Sequence, residues 1–290
     1  MGDGVLGGGP CWFWLAGSEV FDTVPLQVAM MAMNEQTELS QGLLPTVAEL
    51  ALTGRTLPLI TRAVVVGEAL RRAALALHRV PSATLAGKDA AGTPLTRQHR
   101  HAHYVPDCRG EADSVHGGPL RITHVVVYAP GGLLPSEVTA LLGVRYLPSY
   151  VYAADVAETE PLAVTLCGLG QVAGLHGSRL GQRSTVFASR TPFVLPRHRK
   201  RGDEPEDQLV RELRLRGLPI PGQIERTLGP FGRAESDTPP WSAFLRHRRY
   251  DELTTGYYGF RIEFAEAVSG PLLLGYGCHY GLGQFVPQTE

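Results

Sequence analysis

The sequence predicts an α+β protein made of two ferredoxin-like units side by side, one over residues 51–170 and one over 171–290. Two observations carry this. Segments of helical and strand periodicity follow one another between residues 61 and 168 as helix, strand, strand, helix, strand, and a looser strand, helix, strand series runs through the second half. The chain also has 290 residues, 43% of them hydrophobic, which suffices for two small cores rather than one and excludes a mostly disordered chain.

Taken in order, residues 1–50 give no clear period and stay unassigned. A first strand is placed near residues 57–60 to open the βαββαβ order. Residues 64–78 (VVVGEALRRAALALH) read as a helix with Val66, Leu70, Ala73, Ala74 and Leu77 on its apolar face. Residues 87–94 are a polar loop, and residues 98–105 are extended and stop at Pro106. Residues 107–119 are a further loop. Residues 121–128 (RITHVVVY) are β-branched and end in Ala129, Pro130, Gly131 and Gly132, so they form a strand and a turn. Residues 135–142 are a helix with Ser136 near its start and Gly143 at its end. Residues 162–166 are a strand. In the second half, residues 185–194 are a strand, and residues 206–216 (EDQLVRELRLR) are a helix with Leu209, Leu213 and Leu215 apolar and Gly217 as its stop. Residues 258–264 alternate as a strand with Phe260, Ile262 and Phe264 on one face, and residues 271–274 continue apolar into a glycine-rich end.

Charge divides the chain unevenly. The formal net charge is −1, from 27 Lys+Arg and 28 Asp+Glu. Residues 1–60 hold six acids and only Arg55 as a base, for a net −5, which leaves +4 for residues 61–290. Lys88 and Lys200 are the only lysines, so the positive charge is almost all arginine, whose rigid fork suits phosphate, although a GC-rich coding sequence gives the same bias. No apolar run reaches the roughly 20 residues of a membrane span, and Asp3 stands where a signal peptide carries positive charge. Cys11, Cys108, Cys167 and Cys278 form no Cys-x-x-Cys pair and no disulfide framework. A reducing, cytoplasmic setting with no membrane partner is expected.

Three features carry chemistry. His99, His101 and His103 cluster with Arg97 and Arg100, and in a strand Arg97, His99, His101 and His103 share one face. Burying such a face unpaired is expensive, so it serves a metal, acid–base chemistry or a solvated edge. The cluster favours acid–base work, with arginine stabilising developing negative charge. The second feature is the basic run Arg197, His198, Arg199, Lys200 and Arg201, which suits phosphate contact unless neighbouring acids merely offset it. The third is the C-terminal loop with Gly275, Gly277, Gly281 and Gly283, whose backbone N–H groups can approach a ligand closely unless it is only a bland turn. It is neither a P-loop nor a dinucleotide-binding turn.

Several ordered motifs together resemble a known family. They are residues 85–96 (LAGKDAAGTPLT), 99–106 (HRHAHYVP), 123–132 (THVVVYAPGG), 189–194 (SRTPFV) with 197–200 (RHRK), and 270–283 (GPLLLGYGCHYGLG). The resemblance is to the CRISPR-associated type I-U (I-G) subunit that fuses a Cascade backbone protein to a Cas6-like repeat-cleaving endoribonuclease of the RAMP superfamily. It spans roughly residues 50–287, and it implies RRM-like domains. It implies cleavage of precursor CRISPR RNA within repeats by metal-independent attack of a ribose 2′-OH, leaving 2′,3′-cyclic phosphate and 5′-OH ends. No cofactor is implied, and the partners are repeat or guide RNA and other Cascade subunits.

Under this resemblance His101 and His103 transfer protons, with His99 and Arg97 assisting. His124 is a weaker candidate, and the glycines help hold RNA; the shortened spacing of the glycine pairs also leaves His279 open as a residue near the site. Two departures stand out. Residues 1–50 do not match the family's N-terminal backbone domain, and only three residues separate the two Gly-x-Gly pairs. Two other functions remain open: a non-catalytic RNA-binding Cascade subunit, and a metal-dependent hydrolase using His99, His101 and His103.

Overall fold

The computed structural model describes residues 43–89, 91–95, 100–109, 120–151, 161–175, 177–230, 239–245 and 256–288. Strand β1 (Val47–Thr53) opens the fold. It lies before residues 57–60, where the first strand was expected, and begins ahead of residue 51. The expected position instead leads into a 3₁₀ turn at Ile60–Arg62. Period-two patterning does not expose β1, because Glu49 sits at a buried position and Arg109 satisfies its carboxylate at 2.7 Å.

Helix α1 (Ala63–Leu77) buries Val64, Val66, Leu70 and Ala74, but Leu77 is 47% exposed. The apolar face is shifted toward the N-terminal half, because Val64 packs with Val194 and Leu282 of the second half of the chain. Gly67 lets the helix lie flush. A Cβ there would sit 2.6 Å from the Tyr104 carbonyl oxygen and 2.9 Å from that of Tyr280.

The short helix α2 (Ala83–Ala86) is capped by Ser82, whose hydroxyl oxygen accepts the Leu85 N–H at 2.9 Å. It ends on Gly87 in the left-handed region, at φ 66°. Strands β2 (His103–Asp107) and β3 (His124–Tyr128) follow. Helix α3 (Pro135–Gly143) starts with proline at its first position. Its N-terminal partner is Glu137 rather than Ser136. The Glu137 carboxylate accepts the Leu134 N–H at 2.8 Å and the Ser82 hydroxyl at 2.5 Å, which ties α3 to the start of α2.

Strands β4 (Tyr146–Leu147) and β5 (Leu162–Gly170) complete an antiparallel sheet ordered β2-β3-β1-β5-β4. Without the short edge strand β4, this is the 4-1-3-2 order of a ferredoxin-like unit.

The second sheet has the same core order. Strand β6 (Arg183–Ser189) and the two-residue β7 (Phe193–Val194) replace the single strand expected over 185–194. Helix α4 (Pro205–Leu215) buries Leu209 and Leu213, while Leu215 is 56% exposed. Strands β8 (Gln223–Thr227), β9 (Tyr257–Ser269), β10 (Leu272–Leu273) and β11 (Gln284–Pro287) follow. The sheet runs β10-β11-β6-β9-β7, and β8 pairs with β9. The path β11-β6-β9-β8 is again 4-1-3-2. In place of a second helix, a glycine-rich loop with a 3₁₀ turn at Cys278–Tyr280 joins β10 to β11.

The two units are therefore ferredoxin-like, and they share apolar packing. Val105 and Val126 of the first sheet cluster with Leu273 and Val286 of the second and with Cys278 of the loop between β10 and β11. A buried ion network adds to the contact. The Asp107 carboxylate accepts from Arg190 at 2.5 Å and from Arg109 at 3.3 Å. Burial alone would raise the Asp107 pKa, but Arg190, a hydrogen bond from Ser178 and Arg109 together hold it below the ordinary carboxylate value. Among the described residues, no helix is long and apolar enough to cross a membrane.

Candidate active site

The site forms where the start of β2 meets the glycine-rich loop. His103 is the first residue of β2 and is 3% exposed. Strand alternation sends Tyr104 to the opposite face, where its hydroxyl donates to the Leu85 carbonyl at 3.1 Å. His103 faces the second unit, opposite Tyr128 in the β2–β3 register, with ring centroids 5.9 Å apart.

His101 precedes β2 rather than lying within it, so the expected shared strand face does not bring His101 and His103 together. Instead the Ala102 N–H donates to the Thr84 carbonyl at 2.9 Å, and the His101 ring lies over Gly87. A Cβ on Gly87 would meet that ring at 2.6 Å. His99 and Arg97 lie outside the described residues.

His279 comes from the second unit and fills the gap between the two histidines. Its ring stacks on His101 at 3.9 Å with planes 13° apart, and on His103 at 3.8 Å with planes 24° apart. The outer rings are 6.1 Å apart. His279 Nδ1 lies 3.3 Å from the Ala102 carbonyl oxygen. A carbonyl only accepts, so Nδ1 carries the proton in this contact, and in the neutral ring Nε2 carries the lone pair.

The turn that presents His279 is fixed by its glycines. Gly277 and Gly281 flank it at φ 73° and 90°, a region side chains disfavour. Gly275, Gly281 and Gly283 are buried. A Cβ on Gly281 would meet Pro106 at 2.4 Å, and one on Gly283 would meet the Leu274 carbonyl oxygen at 1.7 Å. These glycines allow the loop to seat against β2 and β10. Gln284 holds the seat by donating from Nε2 to the Pro106 and Gly281 carbonyls, each at 2.9 Å.

Beside His103 opens a cleft of about 220 Å³, lined by Tyr128, Arg216, Ser269 and Pro271 among others. Burial pushes the Tyr128 phenol above its ordinary pKa, so it stays protonated at neutral pH. Arg216, just past α4, donates to the Glu212 carboxylate at 2.9 Å and to the Cys278 sulfur at 3.7 Å. The same carboxylate accepts the Gly275 N–H at 3.1 Å, linking α4 to the loop. Burial pushes the Cys278 thiol up to about 11, despite Arg216, so it remains a thiol at neutral pH. The cleft offers one imidazole, a phenol and a guanidinium, with the His279 and His101 rings stacked in turn beside His103.

The other sequence candidates lie apart from the stack. His124 sits at the far end of the β2–β3 pairing, opposite Asp107. Burial, then the Arg109 charge, lowers its pKa, so it is neutral, and its Nδ1 lies 2.9 Å from the Thr123 hydroxyl. Arg100 is exposed, and its carbonyl accepts the Gly131 N–H at 3.1 Å. Arg197, His198, Arg199, Lys200 and Arg201 are exposed in the loop before α4, and Arg199 pairs with Glu204 at 2.5 Å. Sequence reasoning passed over Tyr128 and Arg216. Tyr128 ends an apolar strand, and Arg216 is one of several arginines on a polar helix, so neither stood out.

No family model matches the chain, and no curated protein matches it. Two solved structures are similar in outline. A Cas6 product complex matches with a TM-score of 0.36 and 13% identity, over 84% of this chain and 99% of its own. A RAMP protein binding different RNA substrates matches with a TM-score of 0.36 and 12% identity, over 85% of this chain and 100% of its own.

Proposed function

We propose that the protein is a metal-independent endoribonuclease that cuts precursor CRISPR RNA within its repeats, working in the cytoplasm with other Cascade subunits of the type I-U kind. The observation that carries the reading is the His101–His279–His103 stack, which joins two motifs of the family resemblance at one cleft.

One imidazole takes the proton of a ribose 2′-OH, whose oxygen then attacks the adjacent phosphorus. The bond from phosphorus to the 5′-oxygen breaks, and a second imidazole protonates that leaving oxygen. His103, which lines the cleft, and His279, stacked against it, are the pair that does this. His101 supports the stack, and His99 and Arg97 assist. Arg216 and the Tyr128 phenol stabilise charge on the phosphate oxygens. Arg100 and the basic run 197–201 guide the RNA strand. The glycine-rich loop, with Gly275, Gly281 and Gly283 buried and their N–H groups already bonded within the protein, acts by presenting His279 rather than by contacting RNA as the sequence suggests.

The test uses end-labelled repeat RNA incubated with the protein in EDTA, alongside the same RNA carrying a 2′-deoxy substitution at the cut. Cleavage in EDTA that the deoxy substitution abolishes is the expected result. Binding without cleavage under every condition would make the protein a scaffold subunit. Activity lost in EDTA and restored by metal would make it a metal-dependent hydrolase.

A further inference from the structure

Among the described residues, the Cys278 sulfur, a ring nitrogen of His103 and a ring nitrogen of His279 all lie within 4.8 Å of one another. The proton-transfer chemistry above gives Cys278 no part. We propose that Cys278, His103 and His279 form a binding site for one Zn²⁺ ion, and that this ion inhibits the protein rather than serving it.

The donor set is the borderline-soft one that zinc prefers: one thiolate and two imidazoles, with a fourth position left for water. The surroundings suit it. The Ala102 carbonyl accepts from His279 Nδ1, the outer-sphere contact usual for a ligating histidine, which assigns Nε2 to the metal; the His103 and His279 rings lie face to face, so one turns on binding to bring both lone pairs to the ion. Arg216 donates to the Cys278 sulfur at 3.7 Å, and binding of the metal displaces the thiol proton to solvent. Cys278 and His279 are adjacent in a 3₁₀ turn locked at both ends by left-handed glycines, so two of the three ligands come from one rigid segment. His101 is outside the set, since it stacks on the far side of His279.

An ion bound here takes up the lone pairs of His103 and His279. Suppression of RNA cleavage therefore rests on the proposed cleavage role, whereas binding of the metal does not.

The test titrates Co²⁺ into the chelator-treated full-length protein and then displaces it with Zn²⁺. One equivalent is expected, with tetrahedral ligand-field bands and a sulfur-to-cobalt charge-transfer band. Cys278→Ser should remove the charge-transfer band and weaken Zn²⁺ binding by about tenfold or more. His279→Gln should also weaken Zn²⁺ binding, and it replaces the first variant if circular dichroism shows that Cys278→Ser does not fold. Lack of stoichiometric binding, or a charge-transfer band that survives Cys278→Ser, would overturn the proposal. Zinc bound as expected by a protein that cuts no RNA would leave the metal site standing and remove the cleavage role instead.

Discussion

The His279 ring lies face to face with the His103 ring, centroids 3.8 Å apart, although one residue opens a strand of the first sheet and the other sits in a loop of the second. If this pair transfers protons, His279→Ala and His103→Ala should each lower the RNA cleavage rate by about 10²–10⁴-fold. RNA affinity should stay within a few-fold of wild type. Cleavage unchanged in both variants, measured in single-turnover assays, would remove the pair from the mechanism.

Gly67→Ala tests the close approach of α1. Alanine favours a helix over glycine by about 1 kcal/mol. Here its Cβ would press on the fixed carbonyl oxygens of Tyr104 and Tyr280, at 2.6 and 2.9 Å. Overpacking of this kind costs about 1–3 kcal/mol. The melting temperature should therefore fall, and a rise would mean that α1 does not pack as described.

Asp107→Asn should destabilise the protein by about 3–5 kcal/mol, because it leaves the buried Arg190 without its counter-charge. The folded-state pKa of Asp107 is depressed, so its contribution is present above the unfolded value of about 3.9 and is lost as pH falls through the folded value. Denaturation by urea should show the variant's deficit shrinking below about pH 4. A deficit of constant size down to acid pH would contradict the pairing.

The basic run before α4 is tested by salt. Replacing Arg197, Lys200 and Arg201 with alanine should weaken RNA binding and reduce the slope of log affinity against log salt by roughly 0.7 for each phosphate no longer neutralised. Arg199→Ala should do less, since Glu204 already offsets that charge. An unchanged slope would place the RNA path elsewhere.

Much of the fold is legible in local pattern. Helices α1, α3 and α4 and strands β3, β5 and β9 lie close to where periodicity puts them. The elements that pattern did not expose are those that break it. Strand β1 carries a buried glutamate, and β8 alternates weakly because most of it is exposed. Strand β11 lies just past a glycine-rich loop with all four residues buried, so it has no period to detect. Leu77 and Leu215 read as core but are the last residues of their helices and lie exposed.

By itself, the sequence determined an α+β chain of two ferredoxin-like units, and it singled out His101, His103 and the glycine-rich end as candidates. Those conclusions rest on periodicity and residue type, which are local properties. Only the tertiary structure decided that His279 separates His101 from His103, that Tyr128 and Arg216 line a cleft with His103, and that His124 lies opposite Asp107, away from the stack. Each of these depends on strand register and on how closely the glycine loop seats against β2. The interactions involved join residues distant in sequence, so no window of neighbouring residues contains them.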